Sequence, residues 1–233
     1  VATMNEEITT NSVRDAATIV LIRRCRSSTF VLMGKRNPNA VFMPKKYVFP
    51  GGAWDKADAK VPVSKPIGCS DQKLLQIESK SLVGSSLPVT AVRELWEETG
   101  LKLASPIKGA KPPKGWDSFF KGNNGPDLSN LRFFFRAITP PGRSRRFDAR
   151  FFFCDADKVY NDLDDFSRAS SELHDLRWIN MKHYNQLAIP KITLLVLDHL
   201  KVLLKTKTMG REVLFFSGGS QGLRNKVLKV PKS

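Results

Sequence analysis

The 233-residue chain carries 38 Lys and Arg against 22 Asp and Glu, a formal charge of +16, with 41% hydrophobic and 26% charged residues. This balance excludes wholesale disorder and suits one domain with elaborations, or two small ones. No apolar run reaches the roughly 18 residues of a membrane-spanning helix, and the N-terminal VATMNEEITTNSVRD lacks the cationic start and apolar stretch of a signal peptide. A soluble, cytoplasmic protein without a membrane partner is therefore expected.

Cys25, Cys69 and Cys154 form no CxxC pair, and their odd number argues against both a zinc cage and a complete disulfide framework. The basic excess is concentrated. Eight cations lie between Arg14 and Lys46 against the single acid Asp15, and eight more lie from Lys201 to Ser233 against Glu212. Such blocks attract polyanions, or simply solubilise a surface.

In chain order, Ala16 to Arg24 and Thr29 to Lys35 are β-branched and apolar and predict a strand hairpin. Tyr47 to Phe49 reads as a short extended piece stopped by Pro50, Gly51 and Gly52, where the backbone turns or approaches a ligand closely. Asp71 to Val83 suits a short helix. Ser86 to Thr99 predicts a stronger one, with Ser86 at the N-cap, Pro88 in the first turn and Gly100 closing the C-terminus.

Ala104 to Asn130, with four prolines and four glycines, reads as a long loop. Two aromatic strands follow, Leu131 to Ile138 and Phe147 to Cys154, and Leu176 to Trp178 is expected to pair with them. The acidic stretch Asp155 to Asp175 reads as a polar loop or a frayed helix. Ile192 to Leu204 has helical spacing, and the segment from Ser217 reads as irregular. Strands, helix, strands and a last helix describe a mixed sheet covered on two faces.

The sharpest chemical signal is AVRELWEETGL, Ala91 to Leu101. At about 100° per residue, Glu94, Glu97 and Glu98 fall within an arc of about 100°, with Val92, Leu95 and Trp96 opposite as a buried stripe. Arg93 is placed to pair with Glu97 one turn on. Like charges three and four apart repel, and a hard divalent cation reverses that sign, because Mg²⁺ or Mn²⁺ takes carboxylate and phosphate oxygens. His174, His183 and His199 have no metal-site spacing, and the Phe133 to Phe135 and Phe151 to Phe153 runs read as core. Trp54 and Trp116 read as exposed loop aromatics available for base stacking.

Together with YVFPGG, Tyr47 to Gly52, this helix resembles the signature of the Nudix hydrolase family: glycine, five residues, glutamate, seven residues, then Arg-Glu-aliphatic-any-Glu-Glu-any-Gly-aliphatic. Arg93 to Leu101 match the second half at every specified position. Two features depart from it. Gly52 precedes Arg93 by 41 positions instead of 14, so the box holds an insertion of 27 residues, and the sixth residue after Gly52 is Asp58 instead of glutamate. FMPKKYVFPGG, RRFDARFFF and ELHDLRW resemble the branch with an enlarged box that includes acyl-coenzyme A diphosphatases. Only Leu32 and Arg36 fit the coenzyme A pattern, which wants an arginine and a glycine where Val41 and Lys45 stand.

The resemblance implies an α/β (α+β) fold, a Nudix-type α/β/α sandwich with a mixed β-sheet. It implies a single domain over 12–206 with an insertion at about 60–86, followed by a basic tail over 207–233. It implies a metal-dependent hydrolase of a diphosphate linkage in a nucleoside diphosphate joined to another group, coenzyme A or acyl-coenzyme A first, with ADP-ribose, a nucleotide sugar or a dinucleotide as alternatives. Glu94, Glu97 and Glu98 would hold Mg²⁺ or Mn²⁺, and Arg93 would orient Glu97. Arg36, Lys46, Gly51 and Gly52 would meet a phosphorylated small-molecule substrate. Either a box glutamate or a loop acid, Glu172 or Asp164 ahead of the rest, would act as general base. A non-catalytic nucleotide-sensing or RNA-binding module is the alternative from another class; nucleic acid is a less favoured partner, and a homodimer is compatible with the family.

Overall fold

The computed structural model describes residues 12–40, 43–206, 212–219 and 222–230. Strands β1 (Val13–Cys25) and β2 (Ser28–Arg36) form the predicted hairpin, with Cys25 opposite Ser28. Two short strands, β3 (Tyr47–Val48) and β4 (Gly51–Ala53), then add to β2 and β1, so the Pro50 turn runs across the hairpin.

Helices α1 (Cys69–Gln76) and α2 (Ser81–Thr99) follow. The small pair β5 (Ala104–Pro106) and β6 (Asn124–Pro126) lies apart from the main sheet. Next come β7 (Arg132–Ile138), β8 (Arg146–Asp155), β9 (Leu173–Asn180), α3 (Lys191–Thr206), β10 (Glu212–Gly219) and β11 (Gly222–Lys229).

The main sheet has the order β11-β10-β7-β8-β1-β2-β3, with β4 on β1 and β9 on β2. Because side chains alternate across a strand, consecutive residues serve opposite faces. Ile19, Leu21, Phe133 and Phe152 pack with Val92 and Leu95 of α2 on one side. Val20, Ile22, Phe134 and Phe153 pack with Val196, Leu197 and Leu200 of α3 on the other. A mixed sheet between two helical layers is the α/β/α sandwich expected from sequence, and the phenylalanine runs are its core.

Several local expectations need correction. Helix α2 begins at Ser81, and Ser86 lies inside it, its hydroxyl donating back to the Leu82 carbonyl at 2.8 Å instead of capping. Pro88 is also interior; it lacks an N–H, and the carbonyl that its ring crowds belongs to Gly84. The first helix ends at Gln76, before the stretch expected up to Val83. Leu176 to Trp178 pairs with β2, because both edges of β7 and of β8 are already taken. The segment expected to be irregular from Ser217 is instead a hairpin, β10 and β11, whose first strand runs parallel to β7. Trp116 is buried at 4% exposure and packs on Phe119.

The box insertion is part of the core. Val61, Ile67, Leu74 and Leu75 are buried in the cluster that supports α2. Asp71 accepts the Phe133 amide at 2.8 Å, where the β7–β8 register shifts and the ladder leaves that donor free. Arg136, itself paired with Asp148, donates to the Ile77 and Glu78 carbonyls, each at 3.0 Å, and so secures the chain after α1. Among the described residues no helix is long and apolar enough to cross a membrane.

Candidate active site

The site forms where the C-terminal half of α2 meets the glycine turn. Gly100 ends the helix with φ +78, a left-handed conformation that glycine adopts without strain, and its amide returns to the Trp96 carbonyl at 2.9 Å. Across from the helix, the Gly51 amide donates to Glu98 Oε2 at 2.8 Å. Gly52 comes still closer: a Cβ placed there would lie 2.3 Å from Glu94 Oε1. Only glycine lets the backbone lie directly against the carboxylate.

Arg93 organises the acids. Its Nε donates to Asp58 Oδ1 at 2.9 Å, and its Nη2 to Asp58 Oδ2 at 3.1 Å and the Ala53 carbonyl at 2.9 Å. Its Nη1 donates to Glu94 Oε1 at 2.8 Å and Glu97 Oε2 at 3.0 Å. All five guanidinium N–H groups thus have an acceptor. Burial works against its charge, but the carboxylates around it raise its pKa overall.

Asp58, 1% exposed, also accepts from Thr90 Oγ1 at 2.8 Å and from the Asp55 amide at 3.2 Å. It holds the arginine from behind. Sequence reasoning left its place open; the signal was its position, six residues after Gly52, in a short helical turn that returns the chain to α2.

Glu94 and Glu98 are not a solvated stripe. They are 8% and 2% exposed, whereas the side chain of Glu97 is half-exposed. Burial pushes the Glu94 carboxyl up to about 7, with Arg93 opposing and Glu97 and Glu172 adding to the rise. Burial also pushes Glu98 well above the usual carboxylate range, aided by Glu94 and Glu172 and opposed by the Gly51 amide and Arg36.

Two of the flanking candidates act on the pair through their charge, Glu172 on both carboxyls and Arg36 on Glu98. Glu172 comes from the loop before β9, which is tied to α2 by the Ser170 amide donating to the Glu97 carbonyl at 3.0 Å. Arg36 closes β2, opposite Leu173 of β9, and its buried Nε has no hydrogen-bond partner among the described residues. Asp164, by contrast, is turned to Arg23 at 2.7 Å on the surface. Lys46 is exposed and meets Arg36 through its backbone carbonyl, at 2.9 Å. Lys45 is exposed too, and Val41 lies outside the described residues. Trp54 does not project into solvent, since its Nε1 donates to Ser86 Oγ at 2.7 Å. His199, partly exposed on α3, stacks on the core residue Phe134.

Among the described residues no three His, Cys, Asp or Glu side chains converge as a ready-made cation cage. The donor chemistry nonetheless fits one. Two buried carboxylates that resist ionising one helical turn apart, with the Glu97 carboxylate on the same helix, are what a hard divalent cation satisfies.

No family model matches the chain. Over 123 residues, 53% of its length, the chain is 34% identical to a Caenorhabditis elegans protein assigned as nudix hydrolase 7, and the match spans only 30% of that protein. The crystal structure of a NUDIX hydrolase from Alicyclobacillus acidocaldarius superposes with a TM-score of 0.64 at 26% identity, over 83% of this chain and 96% of that one. The fold is that of the Nudix hydrolases. Both comparisons are with Nudix hydrolases, and the helix bearing Arg93, Glu94, Glu97 and Glu98 carries the residues that resemble the second half of that family's signature.

Proposed function

We propose that the chain is a metal-dependent Nudix pyrophosphohydrolase, acting on a diphosphate linkage in a nucleoside diphosphate joined to a second group. The observation that carries this reading is the buried Glu94–Glu98 pair, held against the Gly51–Gly52 backbone by one hydrogen bond and by Arg93. A protein with no use for the pair would gain by losing it, because two adjacent buried acids are costly to ionise.

Glu94, Glu97 and Glu98 are the residues that would hold Mg²⁺ or Mn²⁺. A bound divalent ion supplies neutralisation of phosphate charge and a lowered pKa for water. The chain's own residues do the rest. Arg93 and Asp58 keep the glutamates in place, Glu172 takes the proton of the attacking water, and Arg36 offers its unpartnered Nε–H to a substrate phosphate oxygen. Lys46 adds positive charge at the rim. Coenzyme A or an acyl-coenzyme A is the first substrate to test, supported by Leu32, Arg36 and the enlarged box, with ADP-ribose, nucleotide sugars and dinucleotides next.

The test is product analysis by mass spectrometry with that panel, using wild type and Glu98→Gln in Mg²⁺, Mn²⁺ or chelator. Cleavage at the diphosphate only with metal, and slower by about a hundredfold or more in Glu98→Gln, is the expected result. Equal turnover by the variant would remove Glu98 from the chemistry.

A further inference from the structure

The register of β9 carries information that the Nudix box does not. Met33 pairs with Arg177 and Lys35 with His174, so Gly34 of β2 faces two residues, Asp175 and Leu176. This is a bulge. Asp175 sits at φ +51, in the left-handed region, which aspartate tolerates better than most side chains but still avoids. Gly34 is what makes room for it, since a Cβ there would lie 2.8 Å from both Leu173 Cβ and Leu176 Cδ2.

The bulge is held from the far edge of β2. Lys35 pairs with His174 on one side and with Tyr47 of β3 on the other, so β3 and β9 flank the same strand. Across it, the Tyr47 hydroxyl donates to Asp175 Oδ2, and Arg177 Nη2 donates both to the Tyr47 hydroxyl and, at 2.5 Å, to Asp175 Oδ2. The Arg177 guanidinium also lies 5.0 Å from the centre of the Tyr47 ring.

Both ends of this cluster lead to the site. Four residues beyond Tyr47 is Gly51, which binds Glu98; three residues before Asp175 is Glu172, in the segment that the Ser170 amide ties to the Glu97 carbonyl of α2 at 3.0 Å. Among the described residues, no side-chain hydrogen bond or ion pair joins the cluster to Glu94, Glu97 or Glu98, or to the side chains of Arg36 and Lys46.

We infer that Tyr47, Asp175 and Arg177 form a positioning clamp that fixes the β9 bulge and so places Glu172 against the Glu94–Glu98 pair. None of the three is a catalytic residue; they act through Glu172, and the inference rests on the hydrolase reading above. A surface ion pair contributes little to stability on its own, so the cost of losing the clamp falls on placement instead of folding.

Tyr47→Phe and Asp175→Gly separate the two. The first removes the hydroxyl, and the second keeps the left-handed backbone while removing the carboxylate. Each should lower kcat about tenfold, with KM within about twofold, and should add no further loss in a Glu172→Gln background, because groups acting through one residue are not additive. An equal further loss in that background overturns the clamp.

Amide hydrogen exchange at Ser170 and Glu172 gives a reading that needs no turnover. Exchange should quicken about tenfold in both variants if the clamp holds the segment, and unchanged exchange overturns it. Absence of metal-dependent turnover in wild type would instead defeat the hydrolase reading, leaving the exchange result to decide whether the clamp exists.

Discussion

Asp58 and Arg93 stand 35 positions apart in sequence and meet as a two-pronged pair, Nε to Oδ1 at 2.9 Å and Nη2 to Oδ2 at 3.1 Å. Side-chain exposure is 16% for the arginine and none for the aspartate, so neither charge has water to fall back on. The pair spans the box insertion and makes the turn after β4 and helix α2 one unit.

Removing Asp58 leaves two buried Arg93 N–H donors without an acceptor and the charge answered only by Glu94 and Glu97. Asp58→Ala should therefore cost about 3–5 kcal/mol, measured by urea denaturation, and should release Arg93 from its place beside Glu94 and Glu97. A loss below about 1 kcal/mol would mean that the Glu94, Glu97 and Ala53 contacts hold Arg93 without Asp58.

Gly52→Ala tests the close approach. The new methyl would collide with Glu94 Oε1, and that carboxylate is the easier of the two to move. Turnover should fall by about a hundredfold, the scale of a small misplacement in a reacting site, with a much smaller change in melting temperature. If activity survives, Glu94 has room that the geometry denies.

Stability of the chelated protein should depend on pH with a defined sign. The Glu94 carboxyl moves from an ordinary 4.5 to about 7 on folding, so the folded state holds this proton more tightly. The group's contribution is complete below about pH 4.5 and is lost as pH rises towards 7, by about 3 kcal/mol. Glu98 acts in the same direction. Denaturation of wild type and Glu94→Gln at pH 5 and pH 8 isolates the effect: the two should differ in slope in chelator, and saturating Mg²⁺ should stabilise wild type selectively at the higher pH. Parallel curves would count against the buried pair.

The insertion supplies a further test. Leu74 is fully buried between α1, α2 and β7, and Leu74→Ala should cost about 2–5 kcal/mol. Deleting residues 60–84 would remove Val61, Ile67, Leu74 and Leu75 together and should abolish folding. A folded, active deletion would make the insertion an appended element instead of part of the core.

The parts of this protein that were legible in sequence are those set by local pattern. The β1–β2 hairpin, the aromatic strands β7 and β8 and the helix α3 follow from periodicity, and the acid-bearing face of α2 follows from spacing. What escaped was set by partners far away in the chain. The burial of Glu94 and Glu98 escaped because nothing near them announces that Gly51 and Gly52 will cover them. Ser86 read as a cap because its bond to the Leu82 carbonyl depends on the helix having already begun. Glu172 and Asp164 look alike in an acidic loop, and it takes the tie from Ser170 to Glu97 and the pairing of Asp164 with Arg23 to separate them. Strands β10 and β11 were hidden by their glycines, although Val213, Leu214, Phe215 and Phe216 form the continuous apolar run of a strand covered on both faces.

Those last two strands also decide where the sheet stops. Without them the open flank would be β7, a phenylalanine-rich ribbon with a free row of backbone donors and acceptors, the kind of border along which separate molecules join into aggregates. With them, that flank is β11, whose exposed Arg224, Lys226 and Lys229 discourage a second copy from docking. During synthesis the protection arrives late, since β7 is finished some eighty residues before β11, and in that interval the nascent chain is at its most vulnerable to misassembly.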